Sequence, residues 1–444
     1  DRSVSRGLGD VYKRQAPQDV TLKTEVVDSE GSVVAQGTDT KRITNGEADT
    51  FEQSIKVTKP KLWNLETPNM YKLVSHVTVG DKEIDKVETP IGIRKVEMSK
   101  ETGILINGEH PGFLSGVNRH QEYPYIGFAA STSLQRRDAI KFKEAGFNIV
   151  RVAHHVPSSD FLDACDELGI FVMDCVPGWQ YWDSNPVFGK RVKSDIQQMI
   201  RRDRNHPSIF TFEISLNESP GVPANFTNDC EALAKKEHPS LKTSAENPHK
   251  GAVADVLYGT PEEVASWSDT AMSLIREYGD HWEEQNGLVK DFCRVTRGPG
   301  TFYPGGEAAM VTQGNNKLWN GFTFIGTGAC SLSQGIQNYN RSDKRFVGVV
   351  QWIGIDHNRG YHDTMSPCGI MDLRRIPKYS YYAFESQRPV ERDAYLESKG
   401  AETGPSMFIA SSWGANAPIL DKKNTPVGTD TNRIIYVYSN TDKV

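Results

Sequence analysis

Two glutamates in this 444-residue sequence stand where paired-carboxyl chemistry would need them. Glu218 closes an apolar run in ISLNES, and Glu277 closes another in LIREYGD. A carboxylic acid that donates a proton and a carboxylate that attacks carbon, held about 5 to 5.5 Å apart, cleave a glycosidic bond with retention of configuration. Either glutamate alone serves equally well as a solvated charge at a strand end. Company raises the specificity: Asn217 precedes Glu218 and Tyr278 follows Glu277, and such groups hold sugar hydroxyls in the transition state. Rings supply the other half of a sugar site, because the apolar face of a pyranose packs on them. Trp352 in VVQWIGID and Trp179, Tyr181 and Trp182 in PGWQYWD are the candidates, with core packing as their other use.

The elements that must carry these residues are legible between about 96 and 390. Eight strand candidates occur, at 113–118, 148–153, 170–174, 209–216, 241–245, 253–258, 272–277 and 347–353, with amphipathic segments between several of them. Eight parallel strands close a barrel whose chemistry sits at their C-terminal ends, and strands four and seven face each other across its mouth. The spacing predicts helices over 132–145 and 159–168, stopped by Gly146 and Gly169. The stretch 278–346 is longer than one strand–helix unit requires. From 16 to 95 the runs VTLKTEVV, SVVAQG, TFEQSIKV and YKLVSHVTV alternate with period two between turn signals, as in an antiparallel sandwich. After 390 a polar stretch leads to two more strand-like runs, MFIASSW and RIIYVYS, too few for a stable sheet domain. Residues 1–15 are polar and dotted with arginine, and read as a leader outside the fold.

Composition narrows the partners. Fifty-one basic against 57 acidic side chains leave a net charge of −6, which argues against nucleic acid and against an anionic membrane surface. No run of 18 apolar residues occurs. Six cysteines, with no C-x-x-C pair, read as buried thiols, so no zinc or other cofactor is expected. Asn118, His120, His154 and Asp174 are too thin a set for a catalytic metal.

Several separated motifs together resemble glycoside hydrolase family 2, the β-galactosidases, β-glucuronidases and β-mannosidases. They are KLWNLETPNMYKL, PIGIRKVE, GVNRHQEYPYIG, FNIVRVAHHVPSSDFLDACDELGIFVMD, RDRNHPSI, SLNE, REYGD and GIMDLRRIPKYSYYAF, in the family's order. The resemblance implies an immunoglobulin-like β-sandwich at 16–95, a catalytic (β/α)8 TIM barrel at 96–390, and a linker with a partial β-sandwich at 391–444. It implies Glu218 as general acid/base and Glu277 as nucleophile. Asn217 would contact the hydroxyl beside the anomeric carbon, Asn118, His120, Arg151 and His154 would line the sugar subsite, and Trp352 would floor it. His155 is read as a strand-end histidine, and Arg151 serves equally as an internal ion-pair partner. The expected activity is that of a retaining exo-β-glycosidase on oligosaccharide or glycoside ends, β-galactosidase-like, in a bacterial cytoplasm or periplasm. Other family specificities, or an inactive carbohydrate-binding remnant, are the alternatives.

Two departures from the family pattern stand out. Asp174 is followed by Cys175 where the family commonly writes Asp-Glu, and Glu213 stands where a tryptophan usually precedes the acid by five positions. If Glu218 points inward, strand alternation sends Glu213 toward the helix layer. There it would need Arg201, Arg202 or Arg204 as a partner, unless a bulge turns it into the pocket. The jelly-roll domain of the family, expected before residue 16, and the Asn-x-Lys signature of glucuronidases are both missing from the pattern.

Overall fold

Period-two alternation gives way to strand–helix alternation near residue 95, and the chain divides there into two units, Asp1–Arg94 with Asn205–Pro207 and Lys95–Arg204 with Ser208–Val444. The computed structural model describes residues 16–44, 46–246, 251, 253–278, 343–358, 365–366, 369–409, 418–420, 426–429 and 437–441. The expected leader at 1–15 and most of the long stretch at 278–346 lie outside these residues.

In the first unit β1 (Gln18–Val27), β2 (Val33–Ile43), β3 (Tyr71–Val79) and β4 (Lys82–Ile91) form an antiparallel sheet in the order β2-β1-β3-β4. TFEQSIKV joins no ladder. It lies extended over the sheet, with Phe51, Gln53, Ile55 and Val57 opposite Leu22, Thr24 and Val26 of β1 and Leu73 of β3. Its alternation is that of a sandwich layer without the hydrogen bonds of a strand.

The second unit opens with the hairpin β5 (Val96–Ser99) and β6 (Gly103–Ile106). Then come β7 (Leu114–Asn118), β8 (Ile149–Arg151), β9 (Phe171–Cys175), β10 (Ile209–Glu213), β11 (Thr243–Glu246), β12 (Val256–Tyr258), β13 (Met272–Tyr278) and β14 (Phe346–Gln351). These eight pair in parallel, in sequence order, and β14 closes on β7. They are the eight strands expected from the sequence, most of them trimmed at their ends. The fourth stops at Glu213, three residues early.

Around the barrel lie α1 (Thr132–Glu144), α2 (Ser159–Leu168), α3 (Pro186–Asp203), α4 (Ala224–Glu237), α5 (Pro261–Trp267), α6 (Tyr379–Glu385) and α7 (Ala394–Ser398). Local chemistry sets their ends. Gly169 ends α2 at φ 64°, a left-handed conformation that favours glycine. Asn185 caps α3 by accepting from the Val187 N–H, with Pro186 next to it, and Thr260 and Glu263 form a capping box on α5. The core lies between strands and helices, where Val150, Val172 and Phe212 meet Phe142, Phe161, Leu162 and Ile196, all fully buried.

A charged knot ties α1 to the rest of the unit. Asp138, on α1, accepts from Arg119 just after β7, from Arg375 before α6 and from the Tyr123 hydroxyl. Both guanidinium groups and the carboxylate are fully buried. The polar stretch after 390, expected as a linker, is hydrogen-bonded to the helix layer: Tyr395 donates to the Glu167 carbonyl, Lys399 pairs with Glu167, and the Glu402 N–H donates to Glu144. Beyond it Met407–Ile409 pairs with Val437–Ser439, and Pro418–Leu420 with Pro426–Thr429. Cys165, Cys175 and Cys230 are buried free thiols, while Cys293, Cys330 and Cys368 lie outside the described residues.

Removing one partner from a buried ion network strands the charges that remain. Asp138→Ala is therefore expected to destabilise the barrel unit by about 3–5 kcal/mol, read as a lowered urea midpoint.

Candidate active site

The site is built around one guanidinium. Arg151, the last residue of β8, is wholly buried, and all five of its N–H donors are engaged. Nε and Nη2 grip the two oxygens of Glu213 at 2.7 and 2.8 Å. Nη1 donates to Glu277 at 2.8 Å and to Asn118 at 3.0 Å, and Nη2 reaches Asn217 at 3.1 Å. Asn118, at the end of β7, turns its amide N–H groups to the carbonyls of Arg276 and Gln351. Four strand ends are thus pinned to one point.

Glu218 and Glu277 meet at a second guanidinium. Arg276 Nη2 lies 3.6 Å from Glu218 Oε1, and its Nε lies 3.9 Å from Glu277 Oε1 and 3.0 Å from Asn217 Oδ1. Arg276 also pairs with Glu246 at the end of β11. Glu218 lies five residues past β10 at φ 47°, a left-handed conformation costly for a residue with a Cβ. Three contacts hold it there: its N–H donates to Glu246 at 2.7 Å, while Trp179 Nε1 at 3.2 Å and Gln180 Nε2 at 2.9 Å donate to its carboxylate.

This turn explains Glu213. Thr211, Glu213 and Asn217 share the inward face, where Thr211 meets Ser244 and the other two meet Arg151, while Phe212, Ile214 and Leu216 enter the helix-side core. Glu218 falls on the outward parity and is brought back by its left-handed turn. Of the two fates left open for Glu213, the inward one holds, and Arg201, Arg202 and Arg204 are not its partners. Its partners are Arg151, the Tyr258 hydroxyl at 2.7 Å and the Cys175 thiol at 3.2 Å.

Rings line one side. His154 lies nearly parallel to Trp352 at 5.6 Å and to Trp179 at 6.1 Å, and His120 stacks on His357 at 4.3 Å with its edge toward Trp352. Tyr181 and Trp182, also considered as a wall, pack instead on Phe188 of α3, Trp182 reaching Phe226 of α4 as well. Tyr278 pairs with Gln351 through its backbone, and its side chain lies outside the described residues.

Residues 96–290 match the model of "Glycosyl hydrolases family 2, TIM barrel domain", and residues 10–94 match "Glycosyl hydrolases family 2". The chain belongs to glycosyl hydrolase family 2. It is 30% identical over 344 residues to a β-galactosidase of Thermoanaerobacterium thermosulfurigenes, covering 76% of this chain and 45% of that one. A β-galactosidase of Thermoanaerobacter pseudethanolicus is 30% identical over 398 residues, 88% of this chain and 48% of the other. The chain thus spans about half the length of these curated relatives. In fold it resembles β-glucuronidase 2 of Bacteroides uniformis, with TM-score 0.70 at 19% identity over 96% of this chain and 54% of that one.

Within this family 2 barrel, environment sorts the ionisable groups. Burial raises Glu277 above the ordinary carboxylate range, against the pull of Arg151 and Arg276. Glu246 is raised by burial as well, Arg276 opposing. Glu213 is lowered, since Arg151 and the hydrogen bonds around it outweigh its desolvation. Burial and the nearby Arg151 keep His120 and His154 well below the usual histidine value, and the ring nitrogens of His154 lie 3.3 Å from Asn217 Nδ2 and 3.4 Å from Arg151 Nη2. Burial lowers His155 to about 4.

Glu246, Arg276, Gln180, Tyr258 and His357 were not singled out in the sequence. Glu246 ends the fifth strand, so the strand-end rule that selected Glu218 applies to it too. Arg276 adjoins Glu277 in REYGD. Tyr258 ends the sixth strand and meets the same rule, while nothing in the sequence marks Gln180.

Three histidines that stay neutral when folded bind protons when unfolded, so the unfolded state gains protons first as pH falls through 6.5. Stability is expected to decline from pH 6.5 downward, to about pH 4 for His155, at roughly 1.4 kcal/mol per pH unit for each fully linked ring. Urea unfolding across that range reads the slope, and His155→Asn is expected to flatten it.

Proposed function

We propose that this chain is the barrel-bearing part of a retaining exo-β-glycosidase of β-galactosidase type, with residues 96–390 as its catalytic barrel and 16–95 as an immunoglobulin-like module. The observation that carries the reading is the approach of Glu218, just past β10, and Glu277, on β13 three strands further round the barrel, to the single guanidinium of Arg276. In this mechanism Glu277 attacks the anomeric carbon while Glu218 protonates the departing oxygen. Glu218 then takes a proton from water as that water displaces Glu277. Asn217 holds the neighbouring hydroxyl, and the rings of Trp352 and Trp179 receive the apolar face of the sugar. Asn118, His120, Arg151 and His154 shape the cup beneath.

The β-galactosidase relatives, at 30% identity, support galactose as the first sugar to try. A panel of nitrophenyl β-galactoside, glucuronide, mannoside and glucoside tests the class. Turnover in the wild-type chain and loss to background in Glu277→Ala are expected. Glu218→Ala is expected to lose roughly 10²–10⁴-fold, and less on a dinitrophenyl glycoside, whose leaving group needs no proton. Sugar binding without turnover of any panel member would instead mark a binding remnant.

Glu277 must be ionised to attack, and burial raises it above the 4.5 of an ordinary glutamate. The acidic limb of the kcat/KM–pH profile is therefore expected above pH 4.5. A limb at or below that value contradicts the assignment.

A further inference from the structure

Glu213 is 1% exposed, and no reacting sugar atom can reach it. Its two oxygens receive four donors: Arg151 Nε and Nη2, the Tyr258 hydroxyl and the Cys175 thiol. Cys175 and Glu213 are register partners on neighbouring parallel strands, so the small thiol of β9 leaves room for the carboxylate of β10. Any influence of Glu213 on chemistry passes through Arg151. A two-oxygen grip fixes the plane of a guanidinium, and with it the direction of the Nη1 donor that Glu277 accepts at 2.8 Å. The charge of Glu213 also offsets that of Arg151, which would otherwise bind Glu277 more strongly as a carboxylate and blunt it as a nucleophile.

We propose that Glu213 is a positioning residue that sets both the orientation and the ionisation of Glu277 through Arg151. Its effect on turnover rests on the reading of Glu277 as nucleophile, but its effect on ionisation does not. The charged and titratable groups facing the pair are Arg151 from β8, Cys175 from β9, Glu218 beyond β10, Glu246 from β11, Tyr258 from β12 and Arg276 from β13. His154 adjoins Arg151 and adds no charge.

The test uses the full chain labelled with 13C at the glutamate carboxyls, the Glu277 signal being assigned with Glu277→Gln. In Glu213→Gln one carboxylate oxygen becomes an NH2 facing an Arg151 donor, and the offsetting charge is gone. The Glu277 titration midpoint is expected to fall by about one pH unit, while Glu213→Asp stays near wild type. On the nitrophenyl β-galactoside, kcat of Glu213→Gln is expected to fall about tenfold to a hundredfold with little change in KM. An unmoved midpoint in a folded Glu213→Gln protein overturns the proposal, whatever happens to activity. If that variant does not fold, Tyr258→Phe decides: losing one neutral donor turns more of the Glu213 charge onto Arg151, so the Glu277 midpoint is expected to rise, and a fixed midpoint overturns the proposal. Should the wild-type chain cleave no glycoside, the functional reading fails while the titration still judges this one.

Discussion

The arrangement of the site depends on keeping a full positive charge inside a barrel. Arg151 is wholly buried, and an unpaired guanidinium there would cost several kcal/mol. The solution is complete use of its fork: Glu213, Glu277, Asn118 and Asn217 take every N–H it has. The partners come from three other strands: Asn118 from β7, Glu213 and Asn217 from β10 and its continuation, and Glu277 from β13. Satisfying one charge therefore fixes the relative positions of β7, β8, β10 and β13, and the mouth geometry follows. Arg276 repeats the device nearer the surface, gathering Glu218, Glu246, Glu277 and Asn217.

The ring wall answers a second constraint. Two guanidinium groups, the buried Arg151 and the partly exposed Arg276, already occupy the cup, and further positive charge would repel both. His120, His154 and His155 are accordingly neutral, held so by burial, with Arg151 adding to the effect on the first two. Neutral imidazoles behave as flat, weakly polar surfaces, and His154 fills the space between Trp352 and Trp179 as a third near-parallel ring. Such a wall suits the carbon face of a sugar, while the carboxylate of Glu218 and the amide of Asn217 beside it suit hydroxyls.

Glu213 shows where alternation stops being a guide. The period-two rule holds through the strand and its continuation, sending Thr211, Glu213 and Asn217 to one face and Phe212, Ile214 and Leu216 to the other. It fails at Glu218, where a left-handed residue reverses the parity. A sequence reading that extends the strand to Glu218 and points that residue inward therefore sends Glu213 the wrong way. No residue type signalled the turn, because the conformation is held by Glu246, Trp179 and Gln180, from other segments of the chain.

The sequence by itself determined the eight barrel strands, the helix stops at glycine and the family, and it named ten candidate residues for a sugar site. Those are local properties: apolar periodicity, capping chemistry and short motifs survive in one dimension. Only the tertiary structure decided the partners. It chose the ion-pair role for Arg151, turned Glu213 toward it, added Glu246 and Arg276, and sent Tyr181 and Trp182 to the helices. The physical reason is that a buried charge must find its counter-charge across strands far apart in the chain, and barrel closure alone sets which ends come within hydrogen-bonding reach.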